Sequence, residues 1–220
     1  MSVIQDMTPY YRERAPVYDA VYGYPERQAD LRFLESHVPG VLRGRNVLEV
    51  AAGTGYWTQF ISREAKRILA ADREPAQLDE LAQRELYCPV ESRVLDAYHL
   101  DRLVDEGRSF TGAFAGLWLS HVPRQRMNEF LCALHQCLRP GATVLLLDNS
   151  SAQCERLPIS HTDEFGNTYQ ERCLDSGNCY SVLKNFPTLE ELKNCTAPFG
   201  EFKNYIHLEN FWLFQYVSTR

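Results

Sequence analysis

The sequence predicts an α/β fold, a doubly wound and mainly parallel sheet with helices on both faces. Three observations carry that expectation. Between residues 46 and 148, short apolar or β-branched runs alternate with segments of helical period, the order that parallel strands and crossover helices require. The first run passes into its helix through a small-residue turn, Ala51-Ala52-Gly53-Thr54-Gly55. The run Thr143-Val144-Leu145-Leu146-Leu147 is apolar throughout, as a strand covered on both faces must be.

Each element follows in turn. Pro25 suits a first helical turn, and Ala29, Phe33 and Leu34 keep helical spacing up to Pro39-Gly40, so a helix is expected over 25–38. A strand is read over 46–50, a helix over 56–64, a strand over 67–72 and a helix over 75–86. Strands follow at 93–95 and 110–117. Pro123 leads a helix with Met127, Phe130, Leu131, Leu134 and Leu138 on one face, closed by Arg139-Pro140-Gly141. The apolar strand over 143–147 comes next.

Past Asp148 the helical period is lost until Pro187, and a hairpin fits best, with strands over 169–174 and 179–183 about the turn Asp175-Ser176-Gly177-Asn178. Phe165, Tyr169, Tyr180 and Phe186 argue against disorder, and a connection this long is expected to be a lid or cap. Thr188-Leu189-Glu190-Glu191 is a capping box that opens a short helix, and strands over 201–208 and 211–218 finish the chain. The expected organisation is an N-terminal cap segment, 1–24, and a single domain, 25–220, with the lid inserted at about 150–187.

The 220 residues carry 23 Lys plus Arg against 29 Asp plus Glu, a formal net charge of −6. One domain of this size buries roughly 70% of the surface its unfolded chain exposes, so no disulfide or metal staple is required. No basic run exceeds two residues, which argues against a nucleic-acid groove, and a neutral or cationic small molecule is the better electrostatic match. Cys88, Cys132, Cys137, Cys154, Cys173, Cys179 and Cys195 include no C-x-x-C pair and no histidine at zinc spacing, so reduced thiols in a cytoplasmic protein are expected. The first residues lack a signal-peptide pattern, and the longest apolar run is far short of the ~20 residues of a membrane helix.

Chemistry concentrates at Val47-Leu48-Glu49-Val50-Ala51-Ala52-Gly53-Thr54-Gly55. Glycines at a strand-to-helix turn let a ligand lie against the backbone, and an acid about 20 residues on, here Asp72, suits a ribose diol. A dinucleotide fingerprint needs a third glycine beneath the pyrophosphate, where Thr58 stands. The turn therefore suits an adenosyl ligand without pyrophosphate, and a nicotinamide-dependent oxidoreductase is the weaker alternative. An acid after a strand also serves as a helix cap, which leaves a structural role open for Asp72 and for Asp96.

The E-V-A-A-G-T-G run with its strand-terminal acid resembles the first motif of class I S-adenosylmethionine-dependent methyltransferases. The resemblance covers most of the chain. It implies a Rossmann-like, seven-stranded mixed sheet whose last strand is inserted antiparallel, S-adenosylmethionine as cofactor, and methyl transfer to nitrogen or oxygen of a small-molecule acceptor. It places Glu49, Ala51, Gly53 and Gly55 at the methionine part, Asp72 at the ribose, and Asp96 and Ala97 at the adenine. Ala51 departs from the family, which usually has its first glycine there. Leu117 borders the cofactor, and Trp57 and Trp118 are either core or cofactor and substrate wall. Arg73 joins this set by position, although it reads more simply as a solvated charge.

Leu117-Trp118-Leu119-Ser120-His121-Val122-Pro123 resembles the family's apolar strand and histidine-containing turn beside the reacting centre. His121 is thus the candidate base or substrate-orienting group, with an ordinary pKa of about 6.5, and a backbone-bonded histidine is the structural alternative. Tyr11-Arg12-Glu13-Arg14-Ala15-Pro16-Val17-Tyr18-Asp19 is similar to the Y-x-x-x-A-x-x-Y-D segment that closes over the cofactor in many small-molecule methyltransferases. That implies Tyr11 near the sulfonium, as a second catalytic candidate, and Tyr18, Tyr22 and Tyr169 on the acceptor side with Trp118 and His121. Asp148-Asn149 resembles the magnesium pair of catechol O-methyltransferases, but Ser120-His121 stands where a second carboxylate is needed, so no metal is expected. A nucleic-acid or protein methyltransferase is disfavoured by the charge and by Leu-Ser-His-Val in place of an N-P-P-Y type tetrapeptide.

Overall fold

Side chains that alternate in direction along continuously buried central strands build two apolar layers on opposite faces of one seven-stranded sheet. In the computed structural model, which describes residues 8–174 and 176–219, the strands β1 (Asn46–Val50), β2 (Arg67–Asp72), β3 (Val90–Val94), β4 (Phe110–Gly116), β5 (Leu138–Asn149), β9 (Gly200–His207) and β10 (Phe211–Ser218) take the order β3-β2-β1-β4-β5-β10-β9. The first five are parallel, and β10 runs antiparallel to both β5 and β9. Val47, Ile68, Ala70, Phe114, Leu145 and Leu147 face the layer that holds α2 (Gln28–Val41), α3 (Tyr56–Ile61) and α4 (Pro75–Leu81). Their neighbours Leu48, Leu69, Ala71, Ala115, Val144 and Leu146 face α5 (Asp101–Asp105), α6 (Met127–Gln136) and α8 (Leu189–Thr196). A period of two in side-chain direction is what sends adjacent residues to opposite cores.

Before the sheet, α1 (Thr8–Arg14) runs into a 3-10 stretch, Ala15–Tyr22. After β5 come the short α7 (Gln153–Arg156) and a separate antiparallel sheet of β6 (His161–Thr162), β7 (Thr168–Cys173) and β8 (Cys179–Leu183). The capping box at Thr188 is formed, with its side chain accepting from the Glu191 N–H and Glu191 accepting from the Thr188 N–H. No helix among the described residues is long and apolar enough to cross a membrane.

Several expected boundaries move. The helix read over 25–38 is a 3-10 turn, Pro25–Arg27, followed by α2, which continues through Pro39 to Val41 because Val38, Pro39 and Leu42 are anchored in the core. Helix α3 ends at Ile61 rather than 64, where the Ser62 hydroxyl turns back to the Gln59 carbonyl. Helix α4 ends at Leu81 rather than 86, because Arg84 swings out to bond the Thr54 carbonyl and pair with Asp19. Strand β3 occupies 90–94 instead of 93–95; as an edge strand with Glu91, Ser92 and Val94 exposed, it carries little apolar signal. Arg139-Pro140-Gly141, expected to stop a helix, lies inside β5, which starts at Leu138 beside Phe110.

The cysteines give a plain correction. Cys173 and Cys179 are joined in a disulfide, whereas all seven were expected reduced. Pairing of β7 with β8 puts the two opposite each other, Cα atoms 4.0 Å apart, a proximity that a six-residue separation does not reveal before the hairpin register is known. Cys88, Cys132, Cys137, Cys154 and Cys195 are free thiols.

Gly55, entering α3 at φ +76°, shows how closely the layers approach: a Cβ there would lie 2.7 Å from Leu81 Cγ and 3.2 Å from Leu81 Cα. Gly55→Ala is therefore expected to destabilise the protein by about 2–3 kcal/mol, from overpacking against α4 and a left-handed backbone. The urea unfolding midpoint measures it, and an unchanged midpoint contradicts this packing.

Candidate active site

The C-terminal ends of the parallel strands open on one cavity of about 470 Å³. In open α/β sheets this is where ligands bind. After β1 the backbone turns through three left-handed positions, Ala51 at φ +53°, Gly53 at φ +56° and Gly55. Ala51 holds this conformation without being glycine, and so does Leu117, φ +56°, at the end of β4; both line the cavity. Strain of this kind in two side-chain-bearing residues on one cavity wall marks a functional surface.

Asp72, at the end of β2, binds the turn together: its Oδ2 accepts from the Gly53 N–H at 2.8 Å and its Oδ1 from the Glu74 N–H at 2.9 Å. Burial raises its pKa against those two hydrogen bonds. Asp96, after β3, accepts from the Tyr98 N–H at 2.9 Å, the cap geometry anticipated for it, and still lines the cavity beside Ala97. Arg73 lines it too, 3.9 Å from Asp96 Oδ2, with a mostly exposed side chain.

Glu49, Trp57 and Gly55 are not on this wall. Glu49 and Trp57 border a smaller recess beneath it, shared with Tyr18 and Tyr22, while Gly55 sits behind the turn against Leu81. Glu49 is 1% exposed, its Oε2 has no hydrogen-bond partner, and burial, with a smaller push from Asp72, raises its pKa to about 8. A buried carboxyl with an orphaned oxygen beside a ligand cavity is a place prepared for a donor or cation.

The matches with known proteins agree with this geometry. The profile of a methyltransferase-domain family fits residues 47–141. A structure of a DhpI–SAM–HEP complex superposes with a TM-score of 0.75 at 28% identity, over 94% of each chain. A DhpI–SAH complex gives 0.72 at 26%, over 99% of this chain and 98% of that one. The chain is an S-adenosylmethionine-dependent methyltransferase. The CcbJ methyltransferase of Streptomyces caelestis, 16% identical with a TM-score of 0.72 over 98% of this chain and 100% of its own, shares the fold. No curated protein matches the sequence.

On the side of the methyltransferase's cavity away from Asp72, α1 and the hairpin meet the end of β4. Tyr11, Tyr18, Trp118, His121, Tyr169 and Leu183 line this part. Tyr22 does not; its ring stacks on Tyr56 with centroids 3.5 Å apart, facing the recess near Glu49. Tyr169 stacks on His161 and donates its hydroxyl to Asp163. His121 Nδ1 lies 2.6 Å from the Leu183 carbonyl, which only accepts, so Nδ1 carries the proton and Nε2 accepts from the Tyr11 hydroxyl at 2.9 Å. Burial, then the cations Lys184 and Arg172, lower the His121 pKa to about 3, which keeps the ring neutral.

Asp148, at the end of β5, has both oxygens engaged: Oδ2 by the Ser120 N–H, and Oδ1 by the Ser120 hydroxyl, the Asn149 N–H and Lys184 Nζ at 2.8 Å. The Lys184 ammonium thus stands where a cation would bind the Asp148-Asn149 pair, and it also donates to Asn149 Oδ1. Burial lowers the Lys184 pKa to about 8 against the pull of Asp148. Asp148 itself is lowered, because the Lys184 charge and the hydrogen bonds from Lys184 and Ser120 outweigh its burial. Among the described residues one cluster has metal-ligand spacing, Glu171 with Cys173 and Cys179, and its two sulfurs are bonded to each other.

Sequence reasoning missed Lys184, Arg172, Gln77 and Arg126. Gln77 is buried in α4 and donates to the Tyr11 carbonyl at 3.0 Å, tying α1 to the sheet. The Arg126 guanidinium lies 3.5 Å from the centre of the Tyr98 ring at the cavity mouth. None belongs to a motif or an apolar period; only their place in space gives them a role.

Lys184→Met is expected to cost about 3–5 kcal/mol by leaving Asp148 buried and unpaired, and the Asp148→Asn, Lys184→Met double variant to recover much of it. Equilibrium denaturation of the three variants tests this. A double variant no better than the single one refutes the pairing.

Proposed function

We propose that this methyltransferase transfers its methyl group to oxygen or nitrogen of a small-molecule acceptor. The observation that carries the reading is the single cavity shared by the strand ends and by the aromatic wall of Tyr11, Tyr18, Trp118 and Tyr169. At about 470 Å³ it has room for a cofactor and a small partner, and its size lies within the range of small-ligand sites. NodS, an N-methyltransferase of Bradyrhizobium japonicum WM9 crystallised with S-adenosyl-L-homocysteine, shares the fold at 16% identity, with a TM-score of 0.66 over 98% of this chain and 100% of its own.

In this reading Asp72 takes the ribose hydroxyls, Asp96 and Ala97 border the adenine with Arg73 at the rim, and the Ala51–Gly55 turn receives the methionine part over Glu49. Leu117 shapes the apolar wall, and Trp57 acts from the recess beside Glu49. The cofactor supplies a methyl group already activated on a sulfonium, so alignment and exclusion of water provide most of the acceleration. Tyr11, held by His121 and by Gln77, closes the reacting centre. A histidine with a pKa near 3 does not hold a proton at neutral pH, so His121 orients Tyr11 and the acceptor rather than storing the acceptor's proton. Residues 8–22 and the hairpin act as the cap and lid over the cavity.

Calorimetry with S-adenosylmethionine and its demethylated product tests the cofactor assignment, and absence of heat for both removes it. Glu49 makes the test specific. Its pKa of about 8 keeps it protonated at pH 7 in the free protein, and a ligand ammonium beside it favours the carboxylate. Binding at about pH 7 is therefore expected to release close to one proton, read as a dependence of binding enthalpy on buffer ionisation enthalpy, and to tighten as pH rises toward about 8. Glu49→Gln is expected to abolish the proton release and weaken binding about tenfold or more.

A further inference from the structure

Among the described residues, two guanidinium groups next to the tyrosines of the cavity wall have no carboxylate partner. Arg172, on β7, is half-buried; Nη2 donates to Gln170 at 2.8 Å, and its buried Nε has no hydrogen-bond partner. It interacts with the phenols of Tyr11, Tyr10 and Tyr18, with a hydrogen bond to Tyr10, and its guanidinium carbon is 5.9 Å from the Tyr10 ring centre. Arg14, on α1, lies 5.5 Å from the Tyr18 ring centre and bonds the Tyr10 hydroxyl. Among the described residues neither guanidinium is ion-paired with a carboxylate, while Lys184, the third cation of the group, has Asp148.

Even partial burial of a guanidinium without a counter-charge is costly, and an anion bound at this wall would relieve that cost. The surrounding donors agree. Tyr11 and Tyr18 form the cavity wall in front of Arg172, and the Tyr18 hydroxyl has no hydrogen-bond partner among the described residues. The net charge of −6 pointed toward a neutral or cationic ligand, but that charge is spread over the surface, and the local field at this wall has the opposite sign.

We propose that the cavity end walled by Tyr11, Tyr18 and His121 and backed by Arg172 and Arg14 is an oxyanion subsite, and that the acceptor is a small acid, methylated on an oxygen of that oxyanion. The inference rests on the reading of the chain as a small-molecule methyltransferase. Carboxylate and phosphonate share the required chemistry. One oxyanion oxygen forms the O–CH3 bond as the S–CH3 bond breaks, with the electron pair left on sulfur; an anion and a sulfonium become an ester and a thioether, and no proton moves. A neutral His121 fits this step, since the nucleophile arrives already deprotonated. Arg172 is a positioning residue, acting on the acceptor through the field at the Tyr11 and Tyr18 hydroxyls.

The experiment pairs acids with neutral counterparts, benzoate with benzamide and phenylphosphonate with its dimethyl ester. Binding to the full chain saturated with S-adenosylhomocysteine is measured by calorimetry, followed by product analysis with methyl-labelled S-adenosylmethionine. At least one acid is expected to bind about tenfold or more tightly than its neutral partner and to yield a labelled O-methyl ester, and which acid does so separates carboxylate from phosphonate. Arg172→Met is expected to erase the preference for the acid with affinity for S-adenosylhomocysteine unchanged, and Arg172→Lys to restore part of it. Equal binding of acid and neutral partner, a preference that survives Arg172→Met, or label recovered on nitrogen overturns the proposal. Loss of S-adenosylhomocysteine binding by the wild-type chain instead overturns the reading beneath it.

Discussion

The buried contact between Asp148 and Lys184 is the constraint on which the acceptor side of the molecule depends. Asp148 closes β5, Ser120 belongs to the turn after β4, and Lys184 follows β8, so one carboxylate joins two sheet strands to the hairpin. Two charges removed from water stabilise a fold only if their geometry and remaining hydrogen bonds are complete, and here both oxygens and the ammonium are satisfied. The adjoining backbone bond, Asn185 N–H to the Ser120 carbonyl, fixes the same register. Because that register places the Leu183 carbonyl against His121 Nδ1, the ion pair also determines which nitrogen of His121 faces Tyr11.

The cofactor side rests on a different device, close backbone approach. Gly55 lets α4 come to the turn after β1, Asp72 ties the Gly53 N–H to β2, and Arg84 locks Thr54 to Asp19 of the N-terminal segment. The same Asp19 bonds the Thr54 hydroxyl, so the segment that carries Tyr11 and Tyr18 is fastened to the glycine turn it covers. At its other end Glu13 accepts from Ser176, Asn178 and Tyr180 in the hairpin. The N-terminal segment is thereby held between cofactor turn and hairpin, and these contacts lower the Glu13 pKa, through the Ser176 hydrogen bond first.

Much of the cofactor half was legible because it follows from local chemistry. Strand β2 falls on the residues expected, as do β1 and β10, since a strand covered on both faces is a short, mostly apolar run that is readable in one dimension. The turn at 51–55 and Asp72 were readable for the same reason, a backbone demand met by particular residue types in a row. Strand β3 and the start of β5 were misread because an exposed edge and a Pro-Gly pair within a strand carry the wrong local signal.

The sequence by itself determined the α/β alternation, the glycine turn, the strand-terminal acids and the hairpin, each a statement about neighbours in the chain. Tertiary structure alone decided which charges share a wall. Arg14 and Arg172 are far apart in the chain, and only strand pairing and the docking of α1 bring them to the same three tyrosines. It also joined Cys173 to Cys179 and turned His121 from a titrating histidine into a neutral one, because burial and nearby charge are properties of the folded surroundings and not of the residue.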